Sequence, residues 1–108
     1  MDIYQARADV AKALAHPARM QIIDILSRGE QCVTDLTCVL ELSQPTVSKH
    51  LAVLRGAGLL DCTKVGNQVT YRIRTPCMAE LFRCLDRILM EDFEKRRRQL
   101  CRETEDES

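Results

Sequence analysis

The segment 36–58 constrains the fold of this chain more than any other stretch. An apolar pattern at helical spacing, a tight polar turn and a second helical pattern follow one another there. Ser43 is a good N-cap for the second helix, Pro45 fits its first turn, and a Gly-x-Gly sequence closes it. A short helix, a tight turn and a second helix have the spacing of a helix-turn-helix.

The hydrophobic period changes to two directly after this helix pair. The stretches LLDCTKV and QVTYRIR lie on either side of the short turn 65–68, and the second one alternates apolar and polar residues. Alternation around a turn that contains Gly-Asn predicts a β-hairpin.

The other helices are predicted from apolar residues at helical spacing. The first spans residues 2–14, and the second spans 18–28 and is ended by Gly29. The third is short and follows the N-cap Thr34, and the last spans residue 77 to about residue 100. The expected fold is mainly α with a β-hairpin, in the order α-α-α-α-β-β-α. One domain covers residues 1–102, and the acidic tail 103–108, which has no apolar residue, is predicted to be disordered.

The second helix of the pair has a polar face opposite its buried stripe. Its short donors and acceptors and its one cation suit base edges and phosphates in a DNA major groove; these residues are Gln44, Thr46, Ser48, Lys49 and His50. The hairpin is basic and polar enough to lie along phosphates as a wing, through Lys64, Asn67, Gln68, Arg72 and Arg74. The alternative is a merely solvated surface, which the order of the elements disfavours.

Composition excludes several other classes of function. The 108 residues include 45% hydrophobic and 30% charged residues with a net charge of zero, which is typical of a soluble globular protein. No apolar run approaches the ~20 residues that a membrane helix needs, and the charged amphipathic start is unlike a signal peptide. We therefore expect a cytoplasmic protein. An enzyme is not expected, because the chain has no Gly-rich phosphate loop and no catalytic triad spacing.

Three segments resemble the ArsR/SmtB family of winged-helix repressors. They are LAHPARMQIIDIL, LSQPTVSKHLAVLRGAGLL and VGNQVTYRI, and the resemblance covers residues 5–95. It implies a homodimer joined through the first and last helices, which represses an operon by binding double-stranded operator DNA. It also implies that residues 44–50 lie on the recognition helix, that 64–68 form the wing tip, and that an effector or thiol oxidation releases the DNA.

The resemblance suggests two effector sites, and the sequence matches neither fully. One uses Cys-Val-Cys-Asp at the start of the third helix, where this chain has Cys32, Val33, Thr34 and Asp35. The Thr34 hydroxyl is a poor ligand for arsenic or cadmium, which prefer thiolates. The other is a zinc site on the last helix, whose positions are here Thr75, Cys77, Ile88 and Glu91; zinc is not expected there.

A third possibility is a set of thiols particular to this chain, which has six cysteines. Cys77 and Cys84 lie on one helix face about 10 Å apart, too far to hold one ion together. Each could instead join Cys32 or a cysteine of the other subunit. Such a set would bind a soft metal or metalloid, with arsenite favoured, or act as a dithiol switch for reactive sulfur or oxidants. Cys38 and Cys62 are expected to pack, Cys101 to be a bystander, and His16 to be structural.

Overall fold

A computed structural model describes residues 2–106, with side chains placed for residues 2–99. The chain forms two compact units that divide between Pro76 and Cys77. The first unit contains four helices and a three-stranded sheet. Its helices are α1 (Ile3–Leu14), α2 (Pro17–Leu26), α3 (Val33–Leu40) and α4 (Gln44–Gly56), and its strands are β1 (Gln31–Cys32), β2 (Leu60–Val65) and β3 (Gln68–Ile73).

Polar side chains begin three of these four helices. The Asp2 carboxylate accepts the Tyr4 backbone N–H at 2.9 Å at the start of α1, and His16 and Ser43 cap α2 and α4 in the same way. The N-cap predicted at Ser43 and the position predicted for Pro45 in the first turn of α4 are therefore confirmed. Each cap satisfies a backbone donor that has no partner inside its helix.

The N-cap predicted at Thr34 is wrong by two residues. Cys32 occupies the N-cap position of α3, with an extended backbone (φ −84°, ψ 161°) and no side-chain hydrogen bond to the helix. The reason is β1, which pairs with β3 through Gln31 opposite Tyr71 and Cys32 opposite Thr70. This pairing keeps Cys32 extended, so the helix starts at Val33 and Thr34 lies inside its first turn.

The predicted β-hairpin is confirmed, with a strand that the sequence did not reveal. β2 and β3 pair antiparallel from Leu60 opposite Ile73 to Val65 opposite Gln68, and the sheet order is β1-β3-β2. In the two-residue loop only Gly66 has a positive φ (63°), as a type II′ turn requires at its first central position.

The core of the first unit lies where α2, α3 and α4 meet the sheet. Its fully buried side chains are aliphatic and come from all three helices and the first strand of the hairpin; they are Ile22, Ile23, Leu36, Val47, Leu51, Leu54 and Leu60. Three of them form the stripe predicted for α4, at positions 47, 51 and 54. This burial determines which face of α4 points away from the core.

The second unit is dominated by one helix, α5 (Met78–Asp106). It is longer than the predicted span of 77 to about 100, and its backbone includes residues 103–106 of the acidic tail. Residues 107–108 lie outside the described residues, so the disorder of the tail stays a prediction. In the described part of the chain no helix is long and apolar enough to cross a membrane.

Candidate DNA-binding surface

The turn between α3 and α4 fixes the angle at which the second helix leaves the first. Glu41 adopts a left-handed backbone conformation with φ 55° directly after α3. Two residues later, the Ser43 hydroxyl accepts the Thr46 backbone N–H at 3.4 Å and lies 2.8 Å from the Thr46 hydroxyl. The sharp turn and the cap together set where α4 begins, as a helix-turn-helix requires.

The exposed part of the polar face of α4 is smaller than the predicted set. Gln44, Ser48 and Lys49 are exposed, with Gln44 in the first turn of α4 and Lys49 opposite the buried stripe, so that they can reach a groove of DNA. Thr46 is half-buried, and its hydroxyl is already bonded to Ser43. His50 is also half-buried, on the flank of the helix, with its ring centroid 4.5 Å from that of His16.

The hairpin presents its predicted residues at two places. Lys64, Asn67 and Gln68 are exposed at the tip, around Gly66. Arg72 lies farther back, where its Nη1 donates to the Thr63 hydroxyl at 2.7 Å across the two strands. That bond holds the guanidinium against the sheet and leaves its other N–H groups for an acceptor such as a phosphate.

Charge is distributed unevenly along the chain, although the total is zero. Residues 44–74, which form α4 and the hairpin, contain five Lys or Arg and one acid, Asp61. The tip residue Lys64 and the α4 residue Lys49 are both exposed. A local excess of positive charge on exposed elements favours a polyanionic partner such as DNA.

The sheet separates the candidate thiol of Cys32 from that of Cys62. Cys32 is aligned with Thr70 and therefore with Thr63, whereas Cys62 is aligned with Tyr71, one residue farther along β3. Since successive residues of a strand point to opposite faces, Cys32 and Cys62 lie on opposite faces and two strands apart, about 10 Å. These two cysteines cannot form a disulfide without unpairing the strands.

Cys62 and Tyr71 lie on the face of the sheet that includes the buried Leu60. Burial raises the pKa of the Tyr71 phenol above its ordinary value, the Cys62 thiol acts in the same direction, and the Arg55 guanidinium opposes both. The packing role expected for Cys62 fits this half-buried position. Sequence spacing gave no sign of the contact, because it depends on the register of the hairpin.

The other described thiols are all exposed. Cys38 is exposed on the outer side of α3, and this exposure does not support the packing role expected for it. Cys77 directly precedes α5 and Cys84 lies within it, and both are exposed as well. The side chain of Cys101 lies outside the described residues. Within the residues that have described side chains, no group of three or more His, Cys, Asp or Glu could hold a metal ion.

Comparison with known proteins identifies the family. The family model described as "Bacterial regulatory protein, arsR family" matches residues 16–61, which include the whole helix-turn-helix. The chain is 31% identical to a homodimeric winged helix-turn-helix DNA-binding domain from Mycobacterium bovis, described as a possible ArsR-family regulator. That likeness covers 86% of each chain with a TM-score of 0.75.

Two curated relatives agree with this result. A biofilm growth-associated repressor of Agrobacterium fabrum is 40% identical over 78 residues, which are 72% of this chain and 67% of the relative. The arsenical resistance operon repressor of Escherichia coli is 49% identical over 63 residues, which are 57% of this chain and 54% of the relative. The matches thus span about half to two thirds of these relatives. None of these proteins is described as an enzyme, and the chain belongs to the ArsR/SmtB family of winged helix-turn-helix transcriptional regulators.

Proposed function

We propose that this protein is a dimeric, sequence-specific repressor that inserts α4 into the major groove of operator DNA. The observation that carries the proposal is the exposed polar face of Gln44, Ser48 and Lys49, on a helix whose start is set by the capped turn at Ser43. Amide and hydroxyl groups suit base edges, and the lysine suits a phosphate or a guanine. The hairpin tip adds Lys64 as a second phosphate contact.

Dimerisation is supported by the apolar face of α5 considered on its own. Apolar residues recur along it at spacings of three and four, and several are largely exposed: Ile88 at 62%, Leu89 at 65% and Phe93 at 65%. Such a stripe on a long helix suits a partner helix. The similar Mycobacterium bovis domain is homodimeric, and the first helix, with Ile3 and Tyr4 exposed, completes the proposed interface.

The proposed inducer is a soft metal or metalloid, with arsenite favoured, bound through thiolates in the cytoplasm. The identity to the Escherichia coli arsenical resistance operon repressor supports arsenite. Cys32 is half-buried at the start of α3, where its modification would act on the helix-turn-helix itself. Because Thr34 supplies no thiolate, a further ligand is proposed to come from Cys77 or Cys84, both of which are exposed, or from a cysteine of the other subunit.

The second candidate is the same repressor with a reversible dithiol switch. Two thiols are enough for a disulfide or a persulfide bridge. The observation that favours this candidate is the absence of a three-ligand cluster among the residues with described side chains. Exposure of Cys77 and Cys84 makes both accessible to an oxidant or a sulfur donor.

A DNA-release experiment separates the two candidates. Fluorescence anisotropy would follow the reduced protein bound to its upstream DNA while arsenite, cadmium, zinc, persulfide or peroxide is added. Arsenite is expected to release wild type and to leave Cys32→Ser bound, whereas the matched variant Cys62→Ser should be released like wild type. Release by persulfide or peroxide alone would support the dithiol switch, and equal release of Cys32→Ser by arsenite would remove Cys32 from the site.

A further inference from the structure

His16 begins α2 through a hydrogen bond that depends on its protonation. Its Nδ1 lies 3.0 Å from the Ala18 backbone nitrogen and accepts that N–H. A backbone N–H can only donate, so this Nδ1 has no proton, and the doubly protonated imidazolium cannot form the cap. The cap at the start of α2 therefore exists only while His16 is neutral.

The His16 ring also contacts the recognition helix. Its centroid lies 4.5 Å from that of His50 on α4, with the ring planes tilted by 46°. His50 is half-buried on the flank of α4, one residue from the exposed Lys49. The two imidazole rings thus join the start of α2 to the helix proposed to enter the DNA groove.

The surroundings of the pair are unfavourable for a further positive charge. Arg19 belongs to the same turn of α2; its Nη2 donates to the Lys12 carbonyl at 3.4 Å, and its buried Nε has no partner among the described residues. Partial burial lowers the pKa of His50 below its ordinary value, and electrostatic interaction with His16 and Arg19 lowers it further.

Other charged groups on the elements around the pair do not supply an obvious counter-ion. On α1 and α2, the Asp9 carboxylate accepts from Gln5 and the Asp24 carboxylate is paired with Arg28. The remaining charged residues on the elements around the pair include both signs; they are Arg7, Lys12, Asp35, Lys49, Arg55, Asp61, Lys64 and Arg72. None of them is among the causes of the His50 shift.

We propose that His16 and His50 are positioning residues that form a proton-sensitive contact, which holds α4 ready for DNA only while both imidazoles are neutral. The proposal rests on the proposed function of α4. A group whose pKa is lowered by folding stabilises the fold above its unfolded pKa, and this stabilisation is lost as the pH falls. Acidification below about pH 6.5, the ordinary histidine pKa, should therefore loosen the contact between α2 and α4.

The expected direction of the change in DNA affinity with pH distinguishes this contact from simple attraction between a charged histidine and DNA. A histidine that simply gained charge beside a phosphate would strengthen DNA binding at low pH. The proposed contact predicts weaker DNA binding at low pH, because the conformation that binds DNA requires the imidazoles to release their additional protons. The dependence can reach about tenfold in affinity per pH unit for each proton released.

The test measures operator affinity by anisotropy from pH 5.5 to 8 at constant ionic strength, for wild type, His50→Gln and His16→Asn. Asparagine is a good N-cap that does not titrate in this range, so His16→Asn keeps α2 capped. Wild-type affinity should fall towards low pH, and both variants should show a flatter profile. Circular dichroism at each pH verifies that the proteins are folded.

Two results would overturn the proposal: a wild-type affinity that stays constant or rises as the pH falls, or a His50→Gln profile as steep as that of wild type. Absence of specific DNA binding at every pH would instead contradict the proposed function. In that case urea unfolding tests the contact between His16 and His50 separately from DNA binding. If the contact is proton-sensitive, the free energy of unfolding of wild type must fall more steeply than that of His50→Gln between pH 7 and 5.5.

Discussion

Cys32 has two structural roles that meet in one residue. It ends β1, where it pairs with Thr70 of the hairpin, and it is the N-cap of α3. A ligand or an oxidised sulfur at this position would therefore act on the strand and on the helix at once. Its thiol makes no cap hydrogen bond, so the position leaves the sulfur available for other chemistry.

Lys49 is an exposed cation on the side of α4 opposite its buried stripe, and its contribution should appear in the salt dependence of binding. Lys49→Gln should weaken operator binding and reduce the slope of log affinity against log salt by about one, because one phosphate contact is lost. Titrations at several salt concentrations measure both effects. Arg83→Gln, on the polar side of α5, removes the same charge and should change neither; an unchanged slope in Lys49→Gln would place this lysine away from phosphate.

At the scale of elements, the turn of the helix-turn-helix is the strained part of the first unit. Glu41 is the only non-glycine residue among the described ones with a positive φ. A left-handed conformation costs an L-residue with a side chain roughly 1–2 kcal/mol, and glycine avoids most of this cost. The turn persists because the packed helices on both sides, with Leu36 and Val47 fully buried, determine its path.

Glu41→Gly should therefore stabilise the protein by about 0.5–1 kcal/mol, since relief of the left-handed strain exceeds the extra backbone entropy of glycine. Glu41→Ala keeps the strain and should leave stability within a few tenths of a kcal/mol of wild type, roughly the usual effect of a surface change. Urea unfolding compares the three proteins. A loss of stability in Glu41→Gly would show that the Glu41 side chain stabilises the turn more than its backbone strains it.

Elements with a strong local signal were predictable from the sequence. The α4 stripe at 47, 51 and 54 and the hairpin were predicted from the period of apolar residues, and both are confirmed. β1 was not predictable, because two residues show no period and the strand exists only through pairing with β3. The same limit explains the wrong cap at Thr34, since a distant strand determines the conformation of Cys32.

The candidate site was predictable in outline and less so in detail. Spacing placed Gln44, Ser48 and Lys49 on the exposed face of α4, where the structure has them. It could not show that the Thr46 hydroxyl is bonded to Ser43. The contact of His50 with His16 was equally hidden, because it joins two helices and no local pattern reports it.

At the scale of the whole molecule, the exposed stripe of α5 is the feature that most needs a partner. Fully burying a side chain such as Ile88, Leu89 or Phe93 stabilises by about 1.5–3 kcal/mol, so association through this face would be strongly favoured. A two-fold dimer would also present two copies of α4 to DNA. Helix-turn-helix dimers bind half-sites one helical turn, or a multiple of it, apart.

The most direct test of a dimeric repressor that binds operator DNA is a DNase I footprint on the DNA upstream of the gene. Wild type should protect two half-sites separated by about 10 base pairs or a multiple of that spacing. Leu89→Glu, which places a charge in the apolar stripe, should lose the protection at concentrations that saturate wild type, whereas Arg87→Glu on the opposite side of α5 should keep it. No protected site for wild type, or the same two half-sites protected equally by Leu89→Glu, would contradict a dimeric repressor that binds its operator through α4.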